Sequence, residues 1–329
     1  MVTRILSAIV LTIAWAGMMP TSGAPGREPS ATPRRELTLD LGDGVTLKLV
    51  EIPAGTFLMG SKFSAEEVAR RHGGVSRLFT DEHPRHEVTI GRPFYMGVTP
   101  VTVDQFAAFV KDSGYKTDAE KDGWTFVFEI RDGKGVSSTA DGASWRKPGF
   151  EQTGNHPVVH ISWQDAVAFC DWLSKKSGKP VRLPTEAEWE FAARAGTGAP
   201  FAFGESVGCR DVHFNSLFPY EERRERRKWY IPLCIPTPRP LEVGSFPPNL
   251  WGLHDMHGNV QEFTSSPWRD SHVDLPRNGV YRRVGDEEWL VVKGGSWFDP
   301  AVACRSAARR RRHRTEMDTN LGFRVLREL

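Results

Sequence analysis

Only three stretches of this chain carry both a helix cap and a helical apolar repeat, and Gly and Pro punctuate most of what lies between them. The first starts at Thr102, with Gln105 three residues on as a capping box requires. It lines Val103, Phe106, Ala107 and Val110 on one face and stops at Gly114. The second starts at Ser162, repeats Ala166, Phe169, Cys170 and Leu173, and stops at Gly178. The third opens at Leu183-Pro184-Thr185, with Glu188 completing its cap. The 31 Gly and 23 Pro, with 11 Trp and 19 Phe against 5 Tyr, leave a loop-rich fold pinned by aromatic clusters.

Strand patterns are short. Residues 37–50 alternate across the turn signal Gly42-Asp43-Gly44, and Ile52–Gly60 continues as a strand. Residues 61–80 read as a polar loop. His83–Ile90 and Phe94–Val101 read as strands leading to the first helix. No internal repeat is visible.

The N-terminus joins a positive start (Arg4), an apolar run Ile5–Met19 and small residues up to Ala24, the pattern of a secretory signal peptide. The alternative is an uncleaved anchor, but the run is shorter than the roughly 20 residues a spanning helix needs. The expectation is a signal at 1–24, a disordered lead-in at 25–36, no membrane association after cleavage, and a secreted or periplasmic protein. A net charge of +2, with 26% charged residues, gives no reason to expect a nucleic-acid partner.

Export makes the four cysteines candidates for disulfides. Cys170 sits at an apolar helix position and reads as a buried structural thiol. Cys209 and Cys234 bracket a Pro- and Arg-rich excursion; a disulfide closing it is one expectation, which spacing alone does not establish. No paired Cys-x-x-Cys or tight His cluster suggests zinc.

Several longer strings fix the reading further. They are Gly114–Glu120, His156–Trp163, Arg182–Glu190, Gly252–Glu262 and the C-terminal Val291–Pro300 followed by Asn320–Val325. In this order they resemble the formylglycine-generating enzyme family, the sulfatase-modifying factors, from about residue 50 to 327. The resemblance implies one α+β domain over 37–329, related to C-type lectins, with little regular secondary structure. A monomer is expected.

In catalytic members of that family, two cysteines on the loop after Gly-Gly-Ser bind copper and oxidise a substrate cysteine. Here Asp299 stands at the first cysteine position, and Cys304 is the only thiol left on the loop. Ser296 matches a serine that lines the family's active site. Ser296 and Cys304 are therefore the catalytic candidates, without the second cysteine. Copper is soft and prefers thiolates, so copper is not expected.

The resemblance also implies calcium. The Asp255 side chain, the Gly258 and Val260 carbonyls and Glu262 match one site, and a loop of such oxygens suits a hard cation. Asn215 and Ser216 match the first half of a second site, whose later half falls in residues 229–236, where no carboxylate stands. Arg305, Arg309 and Arg324 are expected to pair with buried carboxylates such as Glu188 and Glu262. His254 and His257 flank the calcium loop and read as solvent-facing.

Three functions remain open. One is a binding module without oxidase activity, taking a peptide or protein in the surface cleft. The second is an oxidase converting a peptidyl cysteine to formylglycine, through Cys304 and an unrecognised partner. The third is a metal-dependent oxygenase acting on a small molecule.

Overall fold

The structure, a computed structural model, describes residues 35–131, 134–220, 237–282 and 285–329. The chain begins with β1 (Glu36–Gly42) and β2 (Val45–Ile52), an antiparallel hairpin. Its turn residues Asp43 and Gly44 both have positive φ, as tight hairpin turns demand. β3 (Gly55–Met59) pairs with β4 (His86–Ile90), and between them lies α1 (Ala65–His72). β5 (Phe94–Gly97) leads to α2 (Val103–Ser113), the short α3 (Asp118–Asp122), and the ribbon β6 (Trp124–Arg131) with β7 (Lys134–Asp141). Next come α4 (Trp163–Ser177), β8 (Val181–Arg182) and α5 (Glu186–Arg194). The last elements are β9 (Gln261–Pro267), β10 (Trp289–Lys293), β11 (Arg310–His313), β12 (Leu321–Phe323) and β13 (Leu326–Glu328).

All three expected helices form with the expected caps. Thr102 with Gln105, Ser162 with Asp165 and Thr185 with Glu188 are reciprocal capping boxes, so two orphan amide groups are satisfied at each start. α2 and α4 end on left-handed Gly114 and Gly178. The stretch 61–80 is not simply a polar loop. Ser64 accepts from the Glu67 amide, acidic residues occupy the first turn and basic ones the last, and α1 forms with Ala65 and Val68 as its buried residues.

Two sheets organise the molecule. One has the order β1-β2-β5-β13-β8; the other has the order β11-β10-β9-β12, with β12 parallel to β9. Phe106, Phe109, Phe169, Phe263 and Phe323 join α2 and α4 to the second sheet in one apolar core. A second core wraps α5, with Trp189, Phe191, Val50, Met59, Met96 and Trp251.

All nine residues of α5 are buried, four of them charged. Burying a charge costs several kcal/mol unless a partner offsets it, so each has one. Glu186 meets Arg309, Glu188 meets Arg182, and Glu190 meets both Arg194 and Lys293. Burial alone would raise the Glu190 carboxyl, but Lys293 and Arg194 win and hold it at about 2.

Candidate functional site

A cleft of about 900 Å³ opens beside the C-terminal sheet. Asp299 stands in its wall, with Phe298, Phe128, Trp268, Gln261 and Asn320. The Asp299 carboxylate is held from several sides. Its Oδ2 accepts from the Ser296 hydroxyl at 2.6 Å and from Gln261 Nε2 at 2.8 Å. Its Oδ1 lies 3.3 Å from Arg310 Nη2. Asn320 Nδ2 donates to Ser296 Oγ at 3.1 Å.

Arg312 ties this cluster to the fold. Its Nε donates to Gln261 Oε1 at 3.0 Å and its Nη2 to Asn320 Oδ1 at 3.2 Å. Its Nη1 lies 2.9 Å from Glu316 and 3.0 Å from Asp318. Gln261 and Glu262 are neighbours on β9, so their side chains leave opposite faces of the strand. Gln261 reaches Asp299 in the cleft wall, and Glu262 goes to the core.

Cys304 is elsewhere. It is 0% exposed and packs with Phe201, Val212, Phe214, Tyr220 and Ala301, its sulfur 3.8 Å from the Pro300 carbonyl oxygen. Burial pushes its thiol well above the ordinary range, and the nearby Asp299 adds to that. The Gly294-Gly295 turn explains the close packing. A Cβ on Gly295 would sit 2.7 Å from Cys304 Sγ and 2.9 Å from the Ala303 carbonyl oxygen, at a φ of +66°. Cys170 is also a free, buried thiol. Cys209 is disulfide-bonded, while Cys234 lies outside the described residues.

The Asp255–Glu262 loop is tightly built. Asp255 has a φ of 58° and is 8% exposed; its Oδ2 accepts from the Gly244 amide at 2.8 Å. Burial raises its carboxyl, and the charge of Glu262 pushes the same way. A buried carboxylate raised in this way gains from a nearby cation. Glu262 already has cationic and hydrogen-bonding partners. Arg324 grips it with two prongs, and Trp189 Nε1 donates to its Oε2 at 2.7 Å. Gly258 is pressed against the backbone of His213, where a Cβ would collide at 2.2 Å. The donor set fits a hard cation, with Asp255 as the carboxylate in need of charge.

Among the described residues no cluster of three or more His, Cys, Asp or Glu side chains has metal-site geometry, so such a site would depend on the Gly258 and Val260 carbonyls. Asn215 and Ser216 are both buried. Asn215 Nδ2 donates to the Phe298 carbonyl oxygen at 3.4 Å, and its Oδ1 accepts from Leu217 N at 3.2 Å. The stretch 229–236, expected to hold the other half of that site, lies outside the described residues.

Two expectations change. Glu188 pairs with Arg182 rather than with a C-terminal arginine, while Arg305 takes Glu82 and Arg309 takes Glu186. His257 does not face solvent. It is buried, accepts from the Ala202 amide through Nε2 at 3.1 Å, and meets the Cys304 carbonyl through Nδ1 at 2.8 Å. Its capacity for two such bonds in a tight loop is invisible in a single sequence.

The sequence reading also missed a buried ionic layer beneath the cleft. Lys293 lies 3.1 Å from Glu190 and 3.8 Å from Glu186, and His272 Nε2 lies 3.9 Å from Glu186. Among the described residues neither His272 nitrogen has a hydrogen-bond partner.

This arrangement defines a lectin-related α+β domain whose loop after Gly294-Gly295 turns the Asp299 carboxylate to the cleft and buries the Cys304 thiol. The chain belongs to the family of the sulfatase-modifying factor enzyme 1-like domain, whose profile matches residues 44–329. It is 33% identical over 314 residues to the inactive C-alpha-formylglycine-generating enzyme 2 of Bos taurus, covering 87% of this chain and 90% of that one. It is 34% identical over 305 residues to the formylglycine-generating enzyme of Thermomonospora curvata, covering 84% and 92%. Among solved structures, that of PvdO from Pseudomonas aeruginosa matches with a TM-score of 0.67 at 28% identity, covering 89% of this chain and 98% of that one.

Proposed function

We propose that this chain is an exported binding module, stabilised by calcium, that keeps the family's cleft and does not oxidise cysteine. One observation carries the reading: the loop presents the Asp299 carboxylate to the cleft, while Cys304 is sealed in an apolar cluster with its thiol protonated. A soft copper ion held by two thiolates needs both sulfurs on the cleft side. Asp299 supplies two hard oxygens, one already taken by Ser296 and Gln261 and the other beside Arg310. The Bos taurus relative, named as inactive, fits the same reading.

Calcium would be held by the Asp255 carboxylate, the Gly258 and Val260 carbonyls and a free lone pair of Glu262. It would offset the charge of Asp255 and fix the loop that carries Gln261. The apolar run Ile5–Met19 supports export, and no helix among the described residues is long and apolar enough to cross a membrane.

An oxidase is the second reading, favoured by the relatives named formylglycine-generating enzyme. The deciding experiment incubates the purified protein with copper, oxygen and a Cys-x-Pro-x-Arg peptide, followed by mass spectrometry. The expected result is an unchanged thiol peptide and no copper retained through gel filtration. Conversion of the cysteine to an aldehyde would overturn the binding-module reading.

A further inference from the structure

We infer that the cleft selects an extended acidic peptide, seated along β11; this rests on the reading of the cleft as a binding site. Six arginines stand in the cleft wall: Arg77, Arg305, Arg309, Arg310, Arg311 and Arg312. Three are spoken for by carboxylates within the protein. Arg305 is held by Glu82, Arg309 by Glu186, and Arg312 by Glu316 and Asp318. The first two pairs neutralise themselves; Arg312 is outweighed by its two carboxylates, neither of which lines the cleft. None of the three offers an acidic ligand a free cation.

The other three are exposed. Among the described residues Arg77 and Arg311 have no ion pair, although the Arg311 guanidinium lies over the Trp289 ring, 4.9 Å from its centroid. Arg310 has only the single contact to Asp299, its side chain 53% exposed. Four carboxylates stand in the same wall. Glu82 is held by Arg305, and Asp270 and Asp299 accept hydrogen bonds, from Trp268 and from Ser296 and Gln261. Asp81 is half-buried in the field of Arg309, its Oδ1 without a hydrogen-bond partner among the described residues. Of the four exposed charged side chains in the wall, three are guanidinium forks, Arg77, Arg310 and Arg311, against the single carboxylate Asp270. Such forks match carboxylates in geometry as well as charge.

The backbone adds a direction. β11 is the edge strand of its sheet, and residues 310–312 line the cleft. An edge strand can template an added strand, whose main chain supplies affinity and whose alternate side chains supply specificity. Phe298 and Phe128, with ring centroids 4.9 Å apart, give the cleft an apolar patch beside these charges. An occupant alternating acidic and apolar side chains satisfies both.

The test is fluorescence anisotropy with a labelled peptide of alternating Glu and Val, compared with its Lys-Val counterpart and with a copy N-methylated at alternate amides. The acidic peptide is expected to bind at least about tenfold more tightly than the lysine peptide, and to weaken as salt rises. N-methylation is expected to abolish binding. Arg77, exposed and without an ion pair among the described residues, can be changed to Glu with an unchanged melting temperature expected, and Arg77→Glu is expected to weaken the acidic peptide; Arg310→Glu should weaken it further. Tighter binding of the lysine peptide would overturn the inference and leave the binding-module reading standing. Binding of neither peptide would overturn the inference, while the separate peptide-oxidation assay still decides the oxidase question. An acidic-peptide affinity indifferent to both arginine variants would also overturn it.

Discussion

Arg324 holds Glu262 in a two-pronged ion pair with both side chains 0% exposed, Nε to Oε2 at 2.6 Å and Nη2 to Oε1 at 2.7 Å. The other donor bonds of Arg324 go to the carbonyls of Gly97 and His254. One side chain thus joins β5, the calcium-loop candidate and β9. Replacing Arg324 with Met would leave a buried carboxylate without its cation, holding only the Trp189 hydrogen bond, and a loss of about 3–5 kcal/mol in urea unfolding is expected. The double variant Glu262→Leu/Arg324→Met should lose much less than the sum of the single variants. A strictly additive cycle would refute the coupling.

Calcium stabilisation is measurable without knowing any ligand. A cation bound only to the folded chain, at 100 times its dissociation constant, adds about 2.7 kcal/mol. Excess EGTA should therefore lower the melting temperature by several degrees, and re-adding calcium should restore it. Asp255→Ala should melt at one temperature with or without EGTA. If the wild type is indifferent to EGTA, calcium does not hold this loop.

The burial of Cys304 predicts its reactivity. Iodoacetamide should leave Cys304 and Cys170 unmodified in the native protein and label both once guanidinium unfolds it, as peptide mapping would show. Cys304→Ala should leave peptide binding unchanged. Rapid labelling of native Cys304 would place the thiol in the cleft and revive the oxidase reading.

His272 makes stability depend on pH. Burial depresses its pKa from the ordinary 6.5 to about 4. Arg309 and Lys293 push in the same direction, against Glu186 and Glu190. As pH falls the unfolded chain takes up this proton first. The contribution is thus intact above about 6.5 and is lost as the pH drops toward 4. Asp81 and Asp165, raised to about 6 mainly by burial, act in the opposite sense over a similar range. A difference experiment removes their effect. His272→Leu should gain about 1–2 kcal/mol relative to wild type between pH 7.5 and pH 5. A constant gap across that range would show that His272 does not titrate as its surroundings dictate.

Local chemistry was legible in the sequence and long-range pairing was not. The caps at Thr102, Ser162 and Thr185 are read from residues three apart, and all three helices appear where expected. α1 escaped because only Ala65 and Val68 of its residues are buried, which is too little for an apolar stripe. The Ser64–Glu67 spacing was its one signal. The alternation of Trp124, Phe126 and Phe128 likewise marked β6 in retrospect.

The departure from the copper pair was visible at Asp299. What the side chain does was not, because Gln261 and Arg310 reach it from other strands. The same holds for the partners of Glu188, Arg305 and Arg309. Any of several buried carboxylates would satisfy an arginine, and only the packing of α5 and of the Thr80–Glu82 turn chooses among them.

The placement of β13 bears on the order of events during synthesis. This strand sits between β5 and β8 in its sheet, yet both neighbours are made long before it. Until Leu326–Glu328 emerge, β5 and β8 have nothing to join them, and Glu262 waits for Arg324. The five-stranded sheet therefore closes only with its C-terminal strand, and a chain cut just before Leu326 would leave β8 detached from β1, β2 and β5.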